Sequence, residues 1–311
     1  MNTPYITESG KQFGLGHVKR FQAMAELFPE LNLYLVLNED SEANDGLSKW
    51  SNEDLNGLNS LIKQSEVVFF DSFIASEEAC KIVEKSKKLI AIDDYIRRNW
   101  SCGLIVDWTI DSEKNHLPVG NRSCFGLNYL VSRKIFRDKK KSERKESLLS
   151  KPVSDWIITT IFGGSDLLDL TSLAINALGG YRNANHIGTR LYPSYVTFKN
   201  HNRCQWNLSD EEYVKALVES DVVITAGGQT LYELAVLGIP NYCISTNDNQ
   251  NEDFIGFTSE GLSLPLTVQQ ISDARILEKD LDKLILSLDK MNRIDGYGGK
   301  LRDDVIKYLC L

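Results

Sequence analysis

"DVVITAGGQTLYELAVLGIPNYCIS", residues 221–245, decides the fold class. A short β-branched run opens it and two glycines follow. An amphipathic stretch then runs to Leu237, Gly-Ile-Pro breaks it, and a second apolar run closes the segment. Strand, glycine turn, helix and strand in so few residues make a crossover unit, whose two strands run parallel. Its strands are continuously apolar rather than alternating, as strands covered on both faces must be.

The same rhythm extends in both directions. Upstream, SDWIITTIFGGSD (154–166) is a strand ending in a glycine turn, LTSLAINAL (170–178) a helix, SYVTFKN (194–200) a strand. SDEEYVKALVESD (209–221) is a helix with Ser209 as its N-cap. The first half repeats the alternation. NLYLVLN (32–38) is a strand and EDLNGLNSLIKQ (53–64) has helical spacing. EVVFFDSF (66–73) is an apolar run reaching Asp71, and SEEACKIVEKSKK (76–88) a helix capped by Ser76. KLIAIDDY (88–95) and CGLIVDWT (102–109) are two further strands. Between the halves, the basic stretch 133–152 reads as a solvated linker or exposed helix. The sequence therefore predicts an α/β protein. It has two Rossmann-like domains with parallel sheets facing a cleft, residues 1–150 and 151–311, the last helix packing back on the first.

Composition narrows the function. The chain has 311 residues, 42% hydrophobic and 25% charged, enough for two cores. A formal net charge of −8 argues against a nucleic-acid partner. No apolar run approaches the roughly 18–20 residues of a membrane helix, and the first twenty residues are unlike a signal peptide, so no membrane partner and a cytoplasmic location are expected. Six scattered cysteines without a CxxC pair read as free thiols. His116, His186 and His201 have no metal-ligand spacing, and neither a GxSxG elbow nor a catalytic-cysteine signature is present.

In open α/β sheets, ligands sit beyond the carboxyl ends of the strands, near helix N-termini. His17, Asp71, the pair Asp93–Asp94, the turn Gly163–Asp166 and the turn Gly227–Thr230 all fall at such places. In FGLGHVKR (13–20), Gly14 and Gly16 precede a helix predicted from about His17, which lies in its first turn. The positive dipole end disfavours imidazolium by about 0.3–1 kcal/mol, predicting a neutral ring with its pKa pushed down, able to take a proton. A purely structural histidine fits the spacing equally. The motif is not a dinucleotide fingerprint: Lys19 stands where a third glycine belongs, and a preceding strand is barely present.

Gly227 and Gly228 would expose backbone N–H groups to an anion such as a diphosphate. Glu233, one turn further, could accept hydrogen bonds from two ribose hydroxyls or be a surface glutamate. Gly163, Gly164 and Ser165 could meet a sugar or phosphate, or form a turn with an Asp cap. Asn249 and Gln250 sit in NDNQNEDF (247–254), read as a polar loop that could contact sugar hydroxyls.

Taken in order, GLGHVKR, IDDY, GLNYLVSRKIF, FGGSD, TAGGQTLYELAVLGIP and NQNE resemble the UDP-2,4-diacetamido-2,4,6-trideoxy-β-L-altropyranose hydrolases of pseudaminic acid biosynthesis. The resemblance covers most of the chain. It implies a GT-B architecture, similar to the MurG-type glycosyltransferases, and cleavage of the anomeric C–O bond by water with inversion. It implies His17 and Asp94 as the catalytic pair. Gly14, Gly16, Arg20, Asp71, Gly163, Gly164, Ser165, Gly227, Gly228, Gln229, Thr230, Glu233, Asn249 and Gln250 would bind the UDP-sugar. No metal or cofactor is implied, and a monomer or weak dimer is expected. One departure stands out: where that family has Asp-His-Tyr, this chain has Asp71-Ser72-Phe73, so a phenol is missing. A GT-B glycosyltransferase and a non-catalytic nucleotide-sugar binder are the alternatives.

Overall fold

The computed structural model describes residues 2–10, 15–41, 48–115, 122–139, 144–164, 166, 168–246, 248–272 and 280–310. The chain divides into two units: Met1–Lys134 with Gly296–Leu311, and Ile135–Asp295.

Among the described residues the first unit holds seven strands: β1 (Thr3–Thr7), β2 (Leu33–Asn38), β3 (Ser48–Trp50), β4 (Val67–Phe70), β5 (Lys88–Ile92), β6 (Leu104–Asp107) and β7 (Ser123–Phe125). All pair in parallel, in the order β3-β2-β1-β4-β5-β6-β7. Its helices are α1 (Gly16–Leu27), α2 (Leu55–Gln64), α3 (Glu77–Val83) and the single turn α4 (Ser112–Asn115). Local chemistry starts α2 and α3: Asp54 accepts from the Gly57 N–H and Ser76 from the Ala79 N–H. Successive strand residues face opposite layers. Ile6, Val68 and Phe70 join the core formed with Leu58, Ile62, Ala79 and Val83 of α2 and α3. Tyr5 and Phe69 turn the other way, where Tyr5 meets Phe21 of α1 edge-on at 5.4 Å. Each fully buried Ile or Phe contributes about 1.5–3 kcal/mol, so both faces are held.

The second unit carries β8 (Ile158–Ile161), β9 (Ala184–Gly188), β10 (Cys204–Trp206), β11 (Val222–Ala226), β12 (Asn241–Ile244) and β13 (Leu264–Pro265), parallel throughout, in the order β10-β9-β8-β11-β12-β13. Short helices α5 (Lys134–Arg137) and α6 (Arg144–Leu149) precede this sheet. Around it lie α7 (Leu170–Ala177), α8 (Tyr195–Phe198), α9 (Asp210–Glu219), α10 (Gln229–Leu237), α11 (Asp248–Ser259) and α12 (Leu281–Met291). Ser209 and Glu212 close a reciprocal capping box on α9. The terminal helix α13 (Gly299–Leu309) belongs to the first unit, where Arg302 donates to the Leu27 carbonyl at 2.9 Å.

Four expectations are corrected. The weak N-terminal stretch is a central strand: β1 is buried throughout and pairs with both β2 and β4. SYVTFKN is not a strand but contains the single helical turn α8, with Val196 77% exposed and no residue of the turn buried. NDNQNEDF is not a loop. From Asp248 onward it is the start of α11, anchored by Phe257 and by the Tyr232 hydroxyl, which donates to Asp253 at 2.6 Å. The basic stretch 133–152 is not simply solvated: Phe136, Arg144 and Leu148 are buried. Arg144 donates to the Ser220 and Val218 carbonyls at 2.5 and 3.1 Å, satisfying the carboxyl end of α9. All six cysteines are free thiols, and no described helix is long and apolar enough to cross a membrane.

Candidate functional site

Each sheet has one point where the strand order reverses, between β1 and β4 and between β8 and β11. The loops leaving such neighbouring strands diverge, opening room at the carboxyl edge.

At the first point, β1 delivers Glu8 and β4 delivers Asp71; α1 brings His17 and Arg20, and β5 ends at Asp93 and Asp94. Asp71 is the hub. Its Oδ1 lies 2.9 Å from His17 Nδ1 and accepts from Arg20 Nη1 at 3.1 Å, while its Oδ2 accepts from the Tyr5 hydroxyl at 2.8 Å. Arg20 reaches on to Asp94, Nη2 to Oδ2 at 2.7 Å, and lies over the Trp108 ring at 5.0 Å. Burial alone would raise the Asp71 pKa, but Arg20 and His17 outweigh it and hold the carboxyl well below the usual range.

The pKa of His17 moves opposite to the expected direction. Burial and the helix start favour a neutral ring, yet the pKa is raised, because Asp71 and, less strongly, Glu8 oppose the desolvation of a charged imidazole. A dipole term of at most about 1 kcal/mol loses to a charge-assisted hydrogen bond worth about 1.5–3 kcal/mol. With Nδ1–H donated to a carboxylate, Nε2 becomes the basic nitrogen. Glu8 Oε1 stands 3.9 Å from that Nε2. The Glu8 carboxyl is fully buried and accepts from the Phe73 N–H, while its Oε2 has no hydrogen-bond partner among the described residues. Desolvation raises its pKa against the opposing pull of His17. The Phe73 ring meets His17 edge-on at 5.8 Å.

At the second point, the glycine turns after β8 and β11 lie on neighbouring strands. Gly228 precedes α10 at φ 100°, a backbone open to glycine but strained for other residues. Glu233 is buried, not a surface side chain, and accepts from the Tyr213 hydroxyl at 3.2 Å. Desolvation, then the Glu233 charge, pushes the Tyr213 phenol well above its ordinary value. Thr189 donates to the Gly164 carbonyl at 2.9 Å, and Tyr192 donates to that of Gly163. Asp166 caps α7, accepting from the Leu170 and Thr171 N–H groups at 2.9 Å each.

His17, Arg20, Asp71 and Asp94 thus come together, although Asp94 reaches His17 only through Arg20 and Asp71. Gly16 opens α1; Gly163 and Gly164 form one turn and Gly227, Gly228, Gln229, Thr230 and Glu233 the other end of the second edge. Gly14 and Ser165 lie outside the described residues, and of Asn249 and Gln250 only the backbone is described, in α11. Sequence reasoning missed Tyr5, Glu8, Trp108 and Tyr213. Recognising β1 would have put Glu8 at a strand end; nothing in the sequence marks the others.

No protein-family model matches the chain. It is 25% identical over 280 residues to an uncharacterized protein of Methanocaldococcus jannaschii, covering 81% of this chain and 57% of that protein. The chain therefore spans little more than half of that relative's length. It is 22% identical over 329 aligned residues to the spore coat polysaccharide biosynthesis protein SpsG of Bacillus subtilis, covering 96% and 95% of the two chains. Among solved structures, MurG of Acinetobacter baumannii superposes with a TM-score of 0.68 at 11% identity, covering 99% of this chain and 100% of that one. The UDP-GlcNAc 2-epimerase of Neisseria meningitidis bound to UDP-GlcNAc gives 0.63 at 10%, covering 99% and 100%. At such identities the likeness is one of fold: two parallel-sheet α/β halves of the GT-B type.

Proposed function

We propose that this chain is an enzyme acting on a UDP-linked sugar, and that it breaks the anomeric C–O bond with a nucleophile deprotonated by His17. One observation carries the reading: the buried Asp71 carboxylate takes the Nδ1 side of His17, leaving Nε2 as the proton acceptor. In the hydrolytic form, water gives its proton to Nε2 as its oxygen bonds to the anomeric carbon. The C–O electron pair leaves on the β-phosphate oxygen of UDP. Asp71 stabilises the imidazolium so formed, and Arg20, gripped by Asp94, keeps Asp71 ionised. The leaving diphosphate is already a stable anion, so no general acid is needed; the N–H groups opening α10 at Gly228 suit its charge. Glu233 suits the ribose hydroxyls.

The ordered motifs favour a UDP-2,4-diacetamido-2,4,6-trideoxyhexose as substrate and water as the nucleophile. Glycosyl transfer is the second reading, and Phe73 favours it: an apolar ring stands beside His17 where a phenol would have served the sugar. The test is UDP release from the purified protein, given UDP-linked 2,4-diacetamido-2,4,6-trideoxyhexoses or UDP-GlcNAc with no acceptor. Release with equimolar free sugar is expected. Release only after an alcohol acceptor is added would move the assignment to transfer. Failure of the protein to bind any of these nucleotides would end both.

A further inference from the structure

On the Phe73 ring that also meets His17, one cation is left half-used. After Asp94 the chain turns through Tyr95, which adopts a left-handed conformation at φ 63° while its N–H donates to Asp107 at 3.0 Å. That turn brings Arg97 back over Phe73, with Cζ 3.6 Å from the ring centroid. Its Nε donates to the Asp94 carbonyl at 2.9 Å and lies 3.5 Å from Asp93 Oδ1. Nη1 and Nη2 have no hydrogen-bond partner among the described residues, although the side chain is only 18% exposed. The neighbouring guanidiniums are engaged differently. Arg20 spends its terminal nitrogens on Asp71 and Asp94, and Arg98 donates from Nη2 to the Phe73 and Ala75 carbonyls at 3.3 Å.

A buried donor without a partner is costly, and a guanidinium presents two parallel N–H groups that match the two oxygens of an oxyanion. The aromatic stack fixes the plane of the fork in advance, which lowers the entropy lost on binding. Phe73 joins the two side chains: one contact is with Arg97, the other with His17.

We propose that Arg97 is an oxyanion-binding residue of the His17 site, taking two anionic oxygens of the bound substrate. The shared chemistry is a phosphate or carboxylate group. The substrate's own diphosphate is one source and an acidic substituent on the sugar the other. Only the choice of source rests on the nucleotide-sugar reading; the oxyanion site stands on Arg97 itself.

Calorimetric titration of the full chain with UDP-glucose, UDP-glucuronate, pyrophosphate and free glucuronate tests it, using the native protein, Arg97→Gln and Arg97→Lys. Losing a two-pronged charged contact should weaken binding about 10- to 100-fold. If the source is phosphate, Arg97→Gln weakens UDP-glucose, UDP-glucuronate and pyrophosphate together. If it is a sugar carboxylate, only the two glucuronate ligands weaken. Arg97→Lys keeps the charge opposite Asp93 but loses the fork, so it should fold and still show most of the loss. The proposal is overturned if both variants bind every ligand as the native chain does while melting earlier, since Arg97 would then serve only Asp93. It is also overturned if the native chain binds none of the four. Arg97-dependent binding of pyrophosphate or glucuronate without any binding of the UDP-sugars would keep this site and remove the nucleotide reading.

Discussion

The two reversal points of this molecule share a topology and differ in chemistry. Both sheets run parallel in the same order, two strands to one side of the first strand and the later strands to the other. At the β1–β4 point the edge is crowded with ionisable side chains: Glu8, His17, Arg20, Asp71 and Asp94. At the β8–β11 point it is built from glycine turns, a helix start and two buried carboxylates, Asp166 capping a helix and Glu233 held by a phenol. The fold supplies the same opening twice. Side chains make one suited to moving a proton and the other to holding an anion.

His17→Asn should divide the two most sharply. Loss of the basic nitrogen is expected to lower kcat by about 10²- to 10⁴-fold while UDP affinity, read by calorimetry, stays unchanged. A parallel fall in affinity would break the division of labour. Asp71→Asn comes next. It removes the negative charge and one of the two accepting oxygens shared by Tyr5, His17 and Arg20, so kcat should fall by a smaller factor. Arg20 keeps Asp94 but loses its charged contact with Asp71, which should also cost about 1.5–3 kcal/mol in denaturant unfolding. Asp71 has its pKa lowered in the folded chain, so its contribution is present above the ordinary carboxylate value and is lost as pH falls below it. The native protein should therefore lose stability steadily below about pH 4, and Asp71→Asn should flatten that decline. An equal acid slope in both would contradict the ionised hub.

Glu233→Gln probes the other edge. UDP should bind about tenfold more weakly, with kcat at saturation retained, if the carboxylate receives ribose hydroxyls. A drop in kcat at unchanged affinity would move Glu233 into the proton-transfer machinery.

The crossover unit 221–245 was legible because its two strands are continuously apolar and its turn is marked by glycines; β11, α10 and β12 follow it directly. Caps with a local mechanism, at Ser76 and Ser209, were equally readable. What failed depended on neighbours. β1 is short and carries Pro4, yet its central position makes it a strand. β9 includes Asn185, His186 and Gly188, poor strand formers that hold register between β8 and β10. SYVTF has four strand-favouring residues in a row and forms a helical turn instead, with Tyr195 against Trp206 at 5.3 Å. Strand preference describes fitness for a half-buried pleated surface, and that segment meets none. At the site, His17 and Asp71 were visible as residues at strand and helix ends. The direction of the His17 pKa was not, because it depends on two carboxylates 54 and 9 positions away in sequence.

Glu8 offers the finest cut through the comparison, since it faces His17 Nε2 while also accepting from the Phe73 N–H, a bond that a glutamine oxygen can keep. Neutral His17 is needed to take the proton, so kcat/KM should rise with pH through the His17 pKa, which lies above its ordinary value. Three charged groups face the ring: Asp71 and Glu8 raise that pKa, and Arg20 lowers it. Glu8→Gln removes one of the two carboxylates, and the acid limb of kcat/KM should move to lower pH. The variant should then be faster than the native protein at acidic pH and slightly slower on the plateau, because a weaker base removes the proton less readily. Stability should respond in the opposite sense to a usual carboxylate. The folded pKa of Glu8 is raised, so its favourable contribution is present below the unfolded value and lost as pH rises through the folded one. At neutral pH the native protein carries a buried carboxyl with an unmatched oxygen, and Glu8→Gln should melt no earlier and unfold with a weaker dependence on pH. An unmoved acid limb would leave Asp71 alone in setting the basicity of His17.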